Sequence, residues 1–120
     1  MFISFAWTTT PFLADVKDVT RRYWKDIHAK KFNEGMIVNA YDKLPYRGGN
    51  KIGEIKITKK PYQQRTGDMD ETDYRREGLF WMAMHSKTIH GKKPREFFDD
   101  WKEKDDLVWV VEFEKLQGNE

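Results

Sequence analysis

Apolar residues occur in short runs along the chain, and most of these runs have the length of β-strands rather than helices. The last run, DLVWVVEFEKL, is the clearest strand, because Trp109, Val111 and Phe113 alternate on one face. Val108 and Val110 lie on its other face, which predicts that the first part of this strand is covered on both sides. Five strands are predicted in all, for residues 2–7, 19–24, 35–41, 52–60 and 106–116.

Helices are predicted between the early and the late strands. A short helix is expected in residues 8–16, since Pro11 suits a first helical turn. The acidic segment 69–78 begins with Asp70 in a capping position and carries basic residues near its end, which is typical of a helix. Pro94 opens a last helix. The buried stripe of that helix is predicted to contain Phe97, Phe98 and Trp101.

This order of elements indicates an α+β fold. A small PUA-like β-barrel of about five to six strands, with short helices at one end, fits it best. Pro61 is expected to end the fourth strand or to confine it to a sheet edge. No internal repeat or linker divides the 120 residues, so we expect one domain spanning residues 1–120.

Composition excludes several classes of protein. The chain is 38% hydrophobic and contains five Trp, five Tyr and eight Phe, which is too aromatic for a disordered protein. It has no apolar run long enough to cross a membrane, and MFISFAWTTT lacks the basic start of a secretory signal. The absence of cysteine excludes disulfides and cysteine-ligated zinc, and makes a reducing cytoplasm the expected compartment.

Charge is distributed unevenly along the chain. Residues 1–67 contain 13 Lys or Arg and 6 Asp or Glu, whereas residues 68–120 contain 9 and 14. The first half could meet an anionic partner, or the two halves could pair with each other across one fold. Basic residues interleaved with aromatic ones are typical of single-stranded RNA binding. The basic candidates are Arg21, Arg22, Lys25, Lys30, Lys31, Arg47 and Lys51, and the aromatic ones are Tyr23, Trp24 and Tyr46.

The segment KDVTRRYW carries the candidate chemistry. A threonine is a poor nucleophile unless a neighbouring base removes its proton, and a lysine is such a base only when it is neutral. Burial, or like charge from Arg21 or Arg22, would lower the lysine pKa. Residues three apart on a strand face opposite sides. Lys17 and Thr20 therefore meet only if Lys17 ends the short helix and Thr20 begins the strand.

Nearly the whole chain, from Ile3 to Leu116, resembles the ASCH domain family of the PUA-like superfamily. The matching features are an opening strand, a short helix, K-x-x-T-x-R, a G-x-x-V strand, an acidic helix ending in EG, and the terminal VWVVEFEKL strand. The resemblance implies an RNA-associated β-barrel. Small bacterial members of this family include amidohydrolases that act on N4-acetylcytidine, and other members are reported as ribonucleases.

The resemblance also implies a catalytic set of Thr20 as nucleophile, Lys17 as base and Glu77 as the carboxylate. Two features depart from the family pattern. Ala14, Asp15 and Val16 stand where members commonly have a glycine and a basic residue, and the segment from Met82 to Pro94 is longer than in compact members.

The predicted function is removal of an acyl group from N4-acylated cytidine. The alternatives are a non-catalytic module that binds RNA or a modified nucleotide, and a ribonuclease on the same fold. The residues expected to bind substrate or RNA are Arg21, Arg22, Trp24, Arg47 and Lys51. No cofactor is expected, and no metal site either, because His85 and His90 lack both zinc-ligand spacing and nearby cysteines.

Overall fold

The computed structural model describes residues 1–117, and within that range the chain forms six strands and five α-helices. The strands are β1 (Phe2–Ser4), β2 (Val19–Arg22), β3 (Ile37–Tyr41), β4 (Lys51–Ile57), β5 (Tyr62–Arg65) and β6 (Leu107–Leu116). The α-helices are α1 (Thr9–Leu13), α2 (Asp26–Ala29), α3 (Glu71–Arg76), α4 (Leu79–Met84) and α5 (Pro94–Lys104). Single 3₁₀ turns occupy Ala6–Thr8, Pro45–Arg47 and Thr66–Asp68.

The last strand organises the sheet, whose order is β1-β3-β4-β6-β2 with β5 also paired to β6. The C-terminal half of β6 pairs with β4, where Phe113 is opposite Ile57. Its N-terminal half pairs with β2 on one side and β5 on the other. All pairs are antiparallel except β1 with β3. Val108 and Val110 are buried as predicted, whereas on the other face of the first part of β6 Leu107 is exposed and Trp109 is half-buried.

The sheet is open, so the prediction of a closed PUA-like barrel is wrong, although the α+β mixture is confirmed. β1 and β2 are the two ends of the sheet, and a closed barrel would require them to pair with each other. Within residues 1–117 they form no such pair. The expected strand 2–7 stops at Ser4 because Ala6 adopts a φ of 45° and starts a 3₁₀ turn. Among the strands of residues 1–117, the remaining three-residue strand pairs with β3 alone, through Phe2–Asn39, Ile3–Ala40 and Ser4–Tyr41.

Two hydrophobic clusters lie on either side of β2. The first packs against the sheet. It includes Phe5 stacked on Phe12, with ring centroids 4.6 Å apart, and the neighbouring Phe113. The second joins the helices and contains Met69, Tyr74, Leu79, Met82, Ile89, Phe98 and Trp101. Within β2, Thr20 pairs with Val111 of the first cluster, whereas Arg21 reaches the end of α3, which carries Tyr74. β2 therefore connects the sheet core to the helical layer.

Local helix signals predict the later half of the chain well. Asp70 caps α3 through a reciprocal box, in which its carboxylate accepts from the Asp73 backbone and the Asp73 side chain accepts from the Asp70 backbone. Pro94 opens α5 as predicted. Strand β5 was not predicted, and neither were helices α2 and α4. β4 ends at Ile57, four residues before Pro61, and the polar strand β5, which pairs with β6, begins directly after that proline.

Gly78 fixes the contact between α1 and the α3–α4 junction. Its φ is +92°, and a Cβ at this position would lie 2.4 Å from the Cβ of Pro11. Replacement by alanine adds left-handed backbone strain of about 1–2 kcal/mol and forces Pro11 to move. We expect Gly78→Ala to lower the free energy of unfolding by more than about 2 kcal/mol, measured by urea denaturation.

Gly35→Ala is the matched control for that measurement. Gly35 has a similar φ of +85°, but nothing lies within 4 Å of the point that a Cβ would occupy there. The control should therefore show the backbone strain alone. Equal losses in the two variants would mean that the contact with Pro11 does not constrain the junction.

Candidate functional site

A cavity of about 510 Å³ opens beside β2, between the start of the chain and α5. Its walls on the sheet side are Lys17, Thr20, Arg21, Arg22, Tyr23 and Glu77. The opposite walls are aromatic and polar, and comprise Phe5, Ala6, Trp7, Thr8, His90, Lys92, Phe97, Asp100, Trp101 and Lys104. The predicted catalytic residues and two of the predicted binding residues therefore line one cavity.

Glu77 is the centre of a buried ion-pair cluster. It terminates α3, and its side chain is 2% exposed. One carboxylate oxygen, Oε1, accepts from Lys17 Nζ at 2.7 Å, and the other, Oε2, accepts from Arg21 Nη1 at 2.8 Å. Lys17 Nζ also donates to the Glu77 backbone carbonyl at 3.1 Å. Such charges are tolerated in the interior only because they are paired and hydrogen-bonded.

Arg21 is held by side chains from two elements, α3 with its C-terminal residue and β5. Besides Glu77, it donates to Asp73 Oδ1 at 2.7 Å and to Gln64 Oε1 at 3.0 and 3.1 Å. Burial would lower the pKa of Arg21, but the charges of Glu77 and Asp73 raise it above its ordinary value. The guanidinium is therefore a permanent cation, and four of its five N–H donors are used by the protein. This contact pattern indicates a positioning role for Arg21 rather than direct ligand binding.

Lys17 is a fully buried amine whose pKa is shifted by its surroundings. Burial lowers the pKa of its ammonium group below the usual value of 10.5, and Glu77 partly opposes that change. The nearby charges of Arg22 and Arg21 lower the pKa further. The neutral amine therefore forms at a lower pH than it would in an exposed lysine.

Thr20 is 4% exposed, and its hydroxyl oxygen accepts a hydrogen bond from Arg22 Nε at 3.2 Å. This contact leaves the hydroxyl proton available to a second acceptor, and a cationic donor favours the developing alkoxide. The short helix was predicted for residues 8–16 with Lys17 at its end; α1 stops at Leu13, so Lys17 lies in the following loop. Within residues 1–117, the hydrogen bonds of Lys17 go to Glu77 and not to Thr20.

Arg22 faces the cavity without an acidic partner. Among the described residues, it forms no salt bridge, and its single side-chain hydrogen bond goes to Thr20. Its guanidinium carbon lies 5.6 Å from the centroid of the Phe5 ring. Burial lowers the pKa of Arg22 to about 10, with Glu77 opposing, so the group stays protonated at neutral pH. Its positive charge is thus left for a ligand.

The three other predicted binding residues lie outside this cavity. Trp24 stacks on Phe32 with centroids 4.6 Å apart and lines a separate, smaller cleft. Arg47 ends an exposed 3₁₀ turn, and Lys51 pairs with Glu54 at 3.3 Å on the surface. The structure therefore does not bring these residues together with Lys17, Thr20 and Glu77.

Sequence reasoning missed the aromatic wall of the cavity. Phe97 and Trp101 were predicted as a buried helix stripe, and Trp7 as part of a strand. Trp7 and Phe97 make an edge-to-face contact at 4.9 Å, and both line the cavity. His90 reaches the cavity from a tight turn in which it and Gly91 have positive φ values of 50° and 80°. The available signal was Gly91, because glycine adopts the positive φ of such a turn without steric cost.

Within residues 1–117, no three His, Asp or Glu side chains are grouped so that they could ligate a metal ion. No helix in the same range has the length and apolar character needed to cross a membrane.

Comparison with solved structures gives a distant structural relative. The crystal structure of protein EF3133 from Enterococcus faecalis V583, described with the family model DUF984, superimposes with a TM-score of 0.57. The alignment covers 100% of this chain and 82% of that protein, at 16% sequence identity. No family model matches the chain, and no curated protein matches it. The likeness establishes a shared fold and carries no information about activity.

Proposed function

We propose that the protein is an amidohydrolase that removes the acyl group from an N4-acylated cytidine. The observation that carries this proposal is the buried Lys17–Glu77 pair, 2.7 Å apart, on the same cavity wall as the Thr20 hydroxyl. A base with a lowered pKa, a hydroxyl and an orienting carboxylate are the groups that acyl transfer requires. The resemblance to the ASCH family assigns the same three residues.

In the acylation step, neutral Lys17 removes the hydroxyl proton of Thr20 as Oγ1 attacks the acyl carbonyl carbon. Collapse of the tetrahedral intermediate breaks the bond between that carbon and N4. The Lys17 ammonium returns its proton to N4, so the leaving group departs as a neutral amine. Glu77 orients the amine and stabilises the ammonium that forms during the step.

In the second step, a water molecule attacks the Thr20 ester while Lys17 takes its proton. The ester bond breaks, the threonine oxygen regains a proton from Lys17, and the carboxylic acid leaves. Arg22 is placed to stabilise negative charge on Oγ1 in both steps, because its Nε donates to that atom.

The cavity suits a flat heterocycle. Its volume of about 510 Å³ lies within the range of roughly 300–1,000 Å³ that is typical of ligand pockets. Phe5, Trp7, Phe97 and Trp101 provide aromatic surfaces on which a base can stack. The aromatic wall therefore supports a nucleobase ligand, while the wall that carries Lys17, Thr20 and Glu77 supports the acyl transfer.

The test is release of cytidine from N4-acetylcytidine by the purified protein. Because Lys17 acts as the neutral amine, kcat/KM should rise with pH through the Lys17 pKa and level off below pH 10.5. Between the pKa of Lys17 in the folded protein and 10.5, the unfolded chain binds one proton more than the folded chain does. The free energy of unfolding should therefore also rise with pH in this range. Cytidine release that falls as pH increases would exclude Lys17 as the base.

A second candidate is a module that binds RNA or a modified nucleotide without turnover. It is favoured by the contact of Lys17 with Glu77 rather than Thr20, and by the unpaired charge of Arg22 among the described residues. Salt distinguishes the two functions. Binding through phosphates weakens steeply as salt increases, whereas hydrolysis of a neutral nucleoside should change little.

A further inference from the structure

A second cleft, of about 340 Å³, lies across the opening of the sheet. One wall is β1 with the residue before it, and the other carries Arg22 and Trp24 from the end of β2. The remaining lining residues are His28, Leu44 and Tyr46. The cleft therefore occupies the gap that a closed barrel would have filled with β1–β2 hydrogen bonds.

Arg22 belongs to both cavities. On one side it lies beside Phe5 and Thr20 in the main cavity, and on the other it faces the cleft with Trp24. A ligand that fills the main cavity and extends past Arg22 would enter the cleft. Arg22 is thus the lining residue that the two cavities share.

The walls of the cleft are suited to stacking. Trp24 is fixed by Phe32, which is nearly parallel to it at 11°, and by His28, whose ring meets it edge-on at 4.8 Å. Tyr46 is 77% exposed, and Phe2 is 40% exposed. Aromatic side chains that are held in place or left uncovered at a cleft are the usual platforms for nucleobases.

Charge at the junction favours a phosphate. Arg22 has no carboxylate partner among residues 1–117, and its Nε is occupied by Thr20 while its terminal nitrogens form no hydrogen bond there. A guanidinium with free terminal donors binds phosphate oxygens in two-point fashion. A partly buried cation between two base-sized spaces is therefore complementary to the anionic link between two nucleosides.

We infer that the ligand is a single-stranded oligonucleotide rather than a free nucleoside. One base occupies the main cavity, Arg22 binds the adjoining phosphate, and the neighbouring base enters the cleft beside Trp24 and Tyr46. This inference rests on the proposed nucleobase site in the main cavity. It extends that site by naming the class of molecule that the protein binds.

The test compares dissociation constants measured by calorimetry at fixed salt concentration for cytidine, its 3′- and 5′-monophosphates, and the dinucleotides CpA and ApC. The wild-type protein should bind at least one monophosphate more tightly than cytidine. It should bind one dinucleotide about tenfold more tightly still, as expected for one added stacked base. Dinucleotides that bind no more tightly than the monophosphates would overturn the assignment of the cleft to a base.

Two variants separate the contributions. In Tyr46→Ala, the dinucleotide should bind no more tightly than the monophosphate. In Arg22→Gln, the monophosphate should bind no more tightly than cytidine. Arg75→Gln is the control, since Arg75 is exposed on α3 and lines neither cavity. Advantages that persist in both variants would contradict the inference.

The outcome is independent of catalysis because these ligands carry no acyl group. If the dinucleotide advantage holds but N4-acetylcytidine is not hydrolysed, the proposed reaction fails and the oligonucleotide site stands. If hydrolysis occurs without the advantage, the enzyme acts on nucleosides and the inference fails.

Discussion

Replacing Thr20 with alanine should lower kcat for N4-acetylcytidine by at least about a thousandfold, because the variant has no oxygen to form the acyl intermediate. The fold should survive, since the change removes one side-chain hydrogen bond, that with Arg22, at a cost of about 1 kcal/mol. The effect is measured as the rate of cytidine release at saturating substrate, with cytidine detected by chromatography. Thermal unfolding of the same samples confirms that the variant is folded.

Two further variants make that result specific. Thr20→Ser keeps a hydroxyl at the same position and should retain measurable activity. Thr58→Ala removes an exposed threonine that follows β4 and lines neither cavity, so it should behave like the wild-type protein. Wild-type activity in Thr20→Ala would show that another group is the nucleophile.

The largest loss of stability is expected at Glu77. Glu77→Ala leaves the Lys17 ammonium and the Arg21 guanidinium buried without their shared carboxylate. Removing one member of a buried ion pair costs roughly 3–5 kcal/mol, so urea unfolding should show a loss of that order. A double variant, Glu77→Ala with Lys17→Met, should recover part of it, because one of the two uncompensated charges is then absent.

Glu71→Ala provides the comparison on the same helix. Glu71 forms a two-point ion pair with Arg95 at 2.7 Å, but on the surface, where such pairs contribute little. The Glu71 variant should therefore unfold close to the wild-type midpoint. A similar loss in the two variants would mean that Glu77 contributes no more than an exposed pair does.

The elements that follow from local pattern were predictable from the sequence. The alternation of apolar residues in 106–116 predicts β6. The capping position of Asp70 predicts the start of α3, and Pro94 predicts the start of α5. All three signals depend only on neighbours in sequence. β5 was missed because Tyr62–Arg65 has only one apolar side chain in four residues. It forms a strand because the first part of β6 offers an unpaired edge, which no local pattern encodes.

The prediction of a closed barrel was the largest error in the fold. A strand count and an order of elements are compatible with either an open sheet or a barrel, since closure depends on the tilt and the stagger of the strands, which bring the two end strands together. The positive φ of Ala6 belongs to the 3₁₀ turn that follows β1, which ends at Ser4. That backbone angle has no signature in FISFAW.

The candidate site was predictable only in part. Lys17 and Thr20 are close in sequence, and Glu77 entered through the family resemblance. Their convergence depends on Gly78, which allows Pro11 to approach closely enough for α1 to pack on the end of α3. The aromatic wall comes from α5, whose inward residues look like ordinary core in the sequence. Spacing alone does not distinguish a residue that fills a core from one that lines a cavity.

The position of β6 also has a consequence for the order of events during biosynthesis. Thr20 obtains its pairing partner, Val111, only after about ninety further residues have been added. β4 and β5 depend on the same late strand. Contacts so distant in sequence slow folding and leave sheet edges exposed in the meantime. The Lys17, Thr20 and Glu77 cluster therefore forms only after β6 has been synthesised, in the same step that completes the sheet.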